Sequence, residues 1–244
     1  MMSGIQIIHK LREESFNKET ERRLQSHPYL KAAEDGTLTL PQRQAFVREQ
    51  YSIQLSDATS FAFLAGHRDF APSSLTGITV PEQPTASSGS PQEVDDLFQF
   101  LLGGEVYASS LLLAYAKAVG LDEKALRSSD RCCKAQAYPS YWARLALSGQ
   151  RAAAAAACAV NFPAWGAMCG SLLESLGGGN YNYAGVDDEG LAFIKFFATP
   201  IEELDRMAAS IIDKEGVSYE DLVEPVRLLQ EYEIMFWDAI FEKK

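Results

Sequence analysis

The chain has 244 residues, enough to bury one substantial core as one large domain or two small ones. Its composition, 47% hydrophobic and 23% charged, is ordinary for a soluble globular protein. A net charge of -11 argues against nucleic-acid binding, which needs a basic surface, and against anionic membranes.

In chain order the sequence reads as helices almost throughout, so the predicted class is all-α and the economical reading is one domain over 1–244. Charged and apolar residues alternate at a helical period from Ile5 to Gln25, until His27-Pro28 interrupts. Tyr29 to Ala33 makes a short helix, ended by Glu34-Asp35-Gly36. Pro41 suits the first position of a long helix running to about His67. The stretch from Pro72 to Pro91, rich in Pro, Ser, Thr and Gly, reads as an exposed, mobile loop. Ser90-Pro91-Gln92-Glu93 opens the next helix, which runs to about Val119 with Gly120 as its C-terminal cap. A short helix follows Leu121-Asp122. Further helices cover Ala137 to Ser148, Ala152 to Leu176, Asp188 to Asp213 with a break at Thr199-Pro200, and Tyr219 to Phe241. The Gly177-Gly178-Gly179-Asn180 run has neither a GK[ST] after it nor a strand before it, so it is not a phosphate loop.

Ala152 to Leu173 carries no charge and is long enough to span a bilayer. It is mostly Ala, Gly, Cys and Ser, interrupted by Asn161 and Pro163, and so fits a tightly packed interior helix better. Pro163 removes one backbone hydrogen bond and frees the carbonyl of Ala159. A kink there opens space for a ligand or merely adjusts packing. Cys132, Cys133, Cys158 and Cys169 show no metal-ligand spacing, and the apolar run Ile5 to Ile8, followed by the charged Lys10-Leu11-Arg12-Glu13-Glu14, is too short to be expected as a secretory signal. Reduced thiols in a cytosol are the default.

The last helix carries the most informative pattern. Glu233 shares a face with Leu229, Phe236, Trp237 and Ile240. A carboxylate in an apolar stripe is costly unless paired or protonated. It is either a core Glu satisfied by a neighbour or an acid/base residue or ligand anchor.

Several segments, in order, resemble the TenA/THI-4 (thiaminase II) family of the heme oxygenase-like superfamily, near the pyrroloquinoline quinone synthases and chlamydial death-domain-associated proteins. His27-Pro28-Tyr29-Leu30 with Asp35-Gly36-Thr37-Leu38 resembles the family's HPF...DGTL opening, and Phe46 to Leu64 its next helix. Ala137-Tyr138-Pro139-Ser140-Tyr141 resembles AYTSY, Ala198-Thr199-Pro200-Ile201-Glu202-Glu203-Leu204 resembles SPEFEEL, and Tyr232 to Trp237 resembles the closing YE..FW. The resemblance implies a heme oxygenase-like multi-helical bundle around an apolar pocket, assembled as a homodimer or homotetramer. In thiaminase II the pocket takes an aminopyrimidine, a cysteine attacks the ring, and an acid on the last helix shuttles the proton.

Carried over residue by residue, the resemblance makes Glu233 the last-helix acid and Tyr138 a pocket tyrosine. Gln50, beside Tyr51, stands where the family has a helix-two aspartate. Phe196 or Phe197 replaces a tyrosine, losing its hydroxyl. Tyr51, Glu105, Tyr138, Pro163, Phe197, Glu233 and Trp237 are expected to line the pocket, with Gln50 and Ala164 also at the ligand. The family's Pro-Cys reads here as Pro163-Ala164, and alanine cannot be a nucleophile. Cys169 and Cys158 lie about 140° and about 120° around the helix from Ala164, so both read as small core residues. The diiron relatives use E-x6-H and H-x3-D-x2-H ligands. Glu105 is an inward carboxylate candidate, but Leu112 stands seven residues on, and His9, His27 and His67 all fall in the first third of the chain. No metal and no cofactor is therefore expected. The leading reading is a binder of a small heteroaromatic without cysteine-dependent thiaminase activity. The alternatives are an oxidoreductase of the quinone-synthase or chlamydial type acting on an aromatic metabolite, and a non-catalytic ligand-binding or interaction protein.

Overall fold

A computed structural model describes residues 2–82, 96–177, 183 and 187–243. Among these the regular elements are helices: α1 (Gly4–Glu13), α2 (Ser15–Gln25), α3 (Pro28–Glu34), α4 (Leu40–Leu64), α5 (Asp96–Ala118), α6 (Glu123–Arg127), α7 (Cys133–Leu147), α8 (Arg151–Gly177), α9 (Asp188–Ala198), α10 (Leu204–Glu215) and α11 (Tyr219–Phe241). The expected cap at Ser90-Pro91, most of the Gly177–Asn180 run and the 83–91 part of the expected loop lie outside the described residues.

Local chemistry explains most of the boundaries. Ser3 and Thr39 start α1 and α4 with reciprocal capping boxes to Gln6 and Gln42. Asp122, Asp187 and Ser218 accept from backbone N–H groups of the first turns of α6, α9 and α11. Gly120 follows α5 at φ 78°, where a residue with a Cβ is strained. Two expected helices differ. The single helix predicted over 5–25 divides at Glu14, whose extended backbone lets α1 pack on α10 while α2 packs on α11. The helix expected from Ala137 begins at Cys133, one turn earlier, and continues through Pro139.

Helices α4, α8 and α11 form the centre, and every other helix packs directly against at least one of them. Ala152 to Val160 of α8 are all buried, because alanine lets neighbouring backbones come close. Both α5 and α8 are long and apolar enough to cross a membrane by length and composition, but 72% of the apolar window of α8 is buried inside the fold, against 39% for α5. α8 stays helical through Pro163. The carbonyl of Ala159, which the proline leaves without its usual partner, accepts from the Arg12 guanidinium at 2.6 Å. Arg12 also forks onto the Asp205 carboxylate at 2.7 and 2.5 Å, tying α1, α8 and α10 together beside the proline.

Candidate functional site

A cavity of about 1140 Å³ lies among α4, α5, α7, α8, α9 and α11. α4 presents Gln50, Ile53 and Asp57, spaced three and four residues apart on one helical face. α5 presents Gly103, Gly104 and Glu105; its Phe100 and Tyr107, both exposed, form part of the rim. Tyr138 comes from α7, Pro163 and Trp165 from α8, Phe197 from α9, and Glu233 and Phe236 from α11. The 199–203 connection between α9 and α10 borders the other side. The glycines keep the walls thin: a Cβ on Gly166 would meet the Phe197 carbonyl oxygen at 3.2 Å.

The walls are aromatic. The Trp165 ring meets Phe197 at 5.9 Å and Phe236 at 6.1 Å, both edge to face, and stacks on Phe46 at 6.1 Å with an interplanar angle of 8°. Glu202, Glu203 and Asp205 border the α9–α10 side, while Asp57, Glu105 and Glu233 stand against these walls, and none of these last three has a cationic partner among the described residues. Glu233 is buried and accepts from the Trp237 indole N–H at 2.7 Å. Burial raises its pKa to about 7, although the Trp237 N–H and Asn161 act in the opposite direction. Glu105 is only half-buried because its carboxyl faces the cavity, yet desolvation raises its pKa to about 8. Asp57 is 5% exposed; burial, and then the charges of Glu105 and Glu233, push its pKa well above the carboxylate range. Its Oδ1 has no hydrogen-bond partner. Tyr138 donates to Asn161 Oδ1 at 3.1 Å; Asn161 donates to Gln230 at 2.9 Å, and Gln230 to Asn17. This buried polar chain runs from the cavity to α2 and fixes the Tyr138 hydroxyl.

The sequence profile of the TENA/THI-4/PQQC family matches residues 85–243. The chain belongs to the TENA/THI-4/PQQC family. In structure it is similar to a TenA homologue from P. horikoshii OT3, with TM-score 0.66 and 16% identity over 96% of this chain and 98% of the other. It is likewise similar to a TenA homolog from Pseudomonas syringae pv. tomato str. DC3000, with TM-score 0.66 and 13% identity over 96% and 92%. A third likeness is a domain of unknown function with a heme oxygenase-like fold from Shewanella denitrificans OS217, with TM-score 0.62 and 13% identity over 96% and 91%. At these identities the likenesses establish the fold. No curated protein matches the chain in sequence.

Within this TENA/THI-4/PQQC fold, Gln50, Glu105, Tyr138, Pro163, Phe197 and Glu233 share the cavity; three other predicted residues do not line it. Tyr51 points from the other face of α4, its hydroxyl donating to Glu123 at 2.9 Å. Adjacent helical residues diverge by about 100°, and here that turn carries Tyr51 away from the cavity that Gln50 lines. Trp237 is fully buried behind Glu233, packed against Tyr29, Phe46 and Trp165, and it orients the carboxyl instead of forming a wall. Ala164 is buried beside Pro163 without lining the cavity.

Cys158 and Cys169 are fully buried and also off the lining. Burial, with Asp57 near the first and Glu233 near the second, holds both thiols protonated. His27 caps α3, accepting from the Tyr29 N–H, and its other nitrogen lies 3.2 Å from Asp238. His9 is exposed, and His67 meets Gln99 at 2.8 Å. Among the described residues no three His, Cys, Asp or Glu side chains are grouped to hold a metal ion, so the diiron ligand set of some relatives does not fit this site. Sequence reasoning missed Asp57, Trp165 and Phe236. The signal for Asp57 was its position, seven residues and two turns after Gln50 on the same face.

Proposed function

We propose that this chain is a TenA-like protein that binds a small, flat heteroaromatic bearing an amine, and that it works without a cysteine nucleophile. The observation that carries this reading is the pairing of aromatic walls with buried, unpaired carboxyls in one cavity. Trp165, Phe197 and Phe236 offer ring edges and faces to a planar ligand. Glu233 is held by Trp237 where a ring amine or ring nitrogen can meet it. With a pKa near 7, it can accept or return a proton at neutral pH, which suits general acid-base work.

The absence of a thiol among the described lining residues supports the second half of the proposal. Nucleophilic attack needs the reacting atom within reach of the ring, and both Cys158 and Cys169 sit in the core as thiols. Four free cysteines fit the reducing cytosol as the compartment.

The test is a thermal-shift and calorimetric screen of wild type and Glu233→Gln against aminopyrimidines and other heteroaromatic amines, with metal analysis of the same sample. Binding to the folded state raises the melting temperature. Glu233→Gln is nearly isosteric, so it should weaken binding while the protein stays folded. Equal affinity in the two proteins would remove Glu233 from the site. Rapid thiamine hydrolysis by wild type, abolished by Cys169→Ser, would overturn the cysteine-free reading.

A further inference from the structure

We propose that Asp57 is a second anchor in the cavity, one that selects a ligand carrying a protonated amine. The inference rests on the aromatic-cavity reading above and adds to it the charge of the ligand and the residue that reads it.

Four observations lead there. First, Asp57 is 95% buried by its exposure of 5%, lines the cavity, and leaves Oδ1 without any hydrogen-bond partner. Leaving a buried acceptor empty costs free energy, and folded proteins seldom keep one without use. Second, one turn earlier on α4, Gln54 donates its amide N–H to the backbone carbonyl of Glu105 at 3.0 Å and leaves its Oε1 buried and unpartnered. Gln54 itself is not among the lining residues, so of these two bare acceptors Asp57 Oδ1 is the one a cavity ligand meets, and it calls for a group that donates. An ammonium has three donors and no acceptor.

Third, the groups facing Asp57 from the surrounding helices are Glu105 on α5, Tyr138 on α7, Cys158 on α8 and Glu233 on α11. None is a cation, and no Lys, Arg or His stands among the described lining residues. A buried carboxylate needs a positive partner, and the described residues supply none. Fourth, the described carboxyl, thiol and imidazole groups include no cluster fit for a metal ion, so the missing positive charge belongs to an organic cation. Glu233 differs from Asp57 on the decisive point: its carboxyl already holds the Trp237 N–H. Burial, and then the neighbouring Glu105 and Glu233, push the Asp57 pKa well above the carboxylate range and so favour the protonated acid. On binding, the carboxyl releases that proton to solvent and the ammonium takes its place, so the exchange is neutral within the cavity.

The experiment uses three probes with one ring system: 1-naphthylmethylamine (cationic), 1-naphthylmethanol (neutral) and 1-naphthoic acid (anionic). Each is titrated calorimetrically at pH 7.5 into wild type, Asp57→Asn and Glu105→Gln, in two buffers of different ionisation enthalpy. Wild type should prefer the amine over the alcohol by roughly tenfold or more, as a charged hydrogen bond implies, with proton release for the amine alone. Asp57→Asn should bring that ratio to about one and abolish the proton release, while the alcohol binds as before. It should also melt no lower than wild type, because an amide relieves a buried bare carboxyl.

Equal binding of amine and alcohol by wild type would sink the charge selection while leaving the aromatic cavity standing. No binding of any probe would count against the cavity reading itself. A ratio kept by Asp57→Asn but lost in Glu105→Gln would move the anchor to Glu105. A response to divalent metal alone would replace the organic cation. Should Asp57→Asn fail to fold, the wild-type ratio and its proton release still decide the matter.

Discussion

Two acidic regions of the molecule treat the same chemistry in opposite ways. At the α6 N-terminus, Glu123 accepts from the hydroxyls of Tyr51, Ser74 and Thr76 and from the backbone N–H groups of Leu75 and Thr76. Burial pushes its pKa up, but those donors outweigh burial and hold it at about 2. In the cavity, Asp57, Glu105 and Glu233 have few donors or none, and their pKa values rise, to about 8 for Glu105 and about 7 for Glu233. The saturated carboxylate is a clasp that fixes residues 74–76 to α4 and α6. The hungry carboxyls are the ones left for a ligand.

The largest expected effect falls on the clasp. Glu123→Ala strands several donors at once and should lower unfolding free energy by about 3 kcal/mol, read from the urea midpoint. A loss no greater than that of an ordinary surface substitution would make the clasp ornamental.

The second effect is the pH profile, where the regions act with opposite signs. Glu123 has a depressed folded pKa, so its contribution is present above the unfolded value near 4.5 and is lost as pH falls toward 2. Glu233 and Glu105 have raised folded pKa values, so theirs is present below about 4.5 and is lost as pH rises through 7 and 8. Stability should therefore peak near pH 5 and fall by about 2 kcal/mol toward pH 9, with water in the cavity softening the change. Glu105→Gln and Glu233→Gln should each flatten the alkaline side only. An alkaline side unchanged in both variants would mean the cavity is wet enough to ionise them freely.

A smaller effect concerns the aromatic wall of the cavity. Trp165→Ala removes the ring against which Phe197 and Phe236 pack, and should weaken an aromatic ligand by about tenfold in a calorimetric titration. Least of all, native-state alkylation should leave Cys158 and Cys169 unmodified by mass spectrometry, since both are buried thiols.

Glu233 was legible because α11 is regular and its apolar stripe has one charged residue in it. Asp57 was not. On α4 the buried set includes Gln42, Arg43, Glu49, Gln50, Gln54 and Asp57, so no apolar stripe marks the inner face. Glu49 shows why burial alone would have misled: it accepts from the Cys132 N–H at 2.9 Å and from Gln136 at 2.7 Å, and is structural. Trp237 was placed on the right helix with the wrong task, since periodicity gives a face but not the rotamer that turns the indole N–H onto Glu233. The α1–α2 division carried no Pro or Gly signal at Glu14; it arises from two helices docking on different partners.

The sequence by itself determined most of the helices, the order of the family motifs and the carboxyl at Glu233 within its apolar stripe, because each depends on local period or residue identity. Only the tertiary structure decided that Arg12 takes the carbonyl Pro163 frees, that Tyr51 serves Glu123, and that Asp57 is left bare. Those outcomes depend on which donors distant segments bring within hydrogen-bond reach. For a buried carboxyl, that supply of donors separates a structural acid from a binding one.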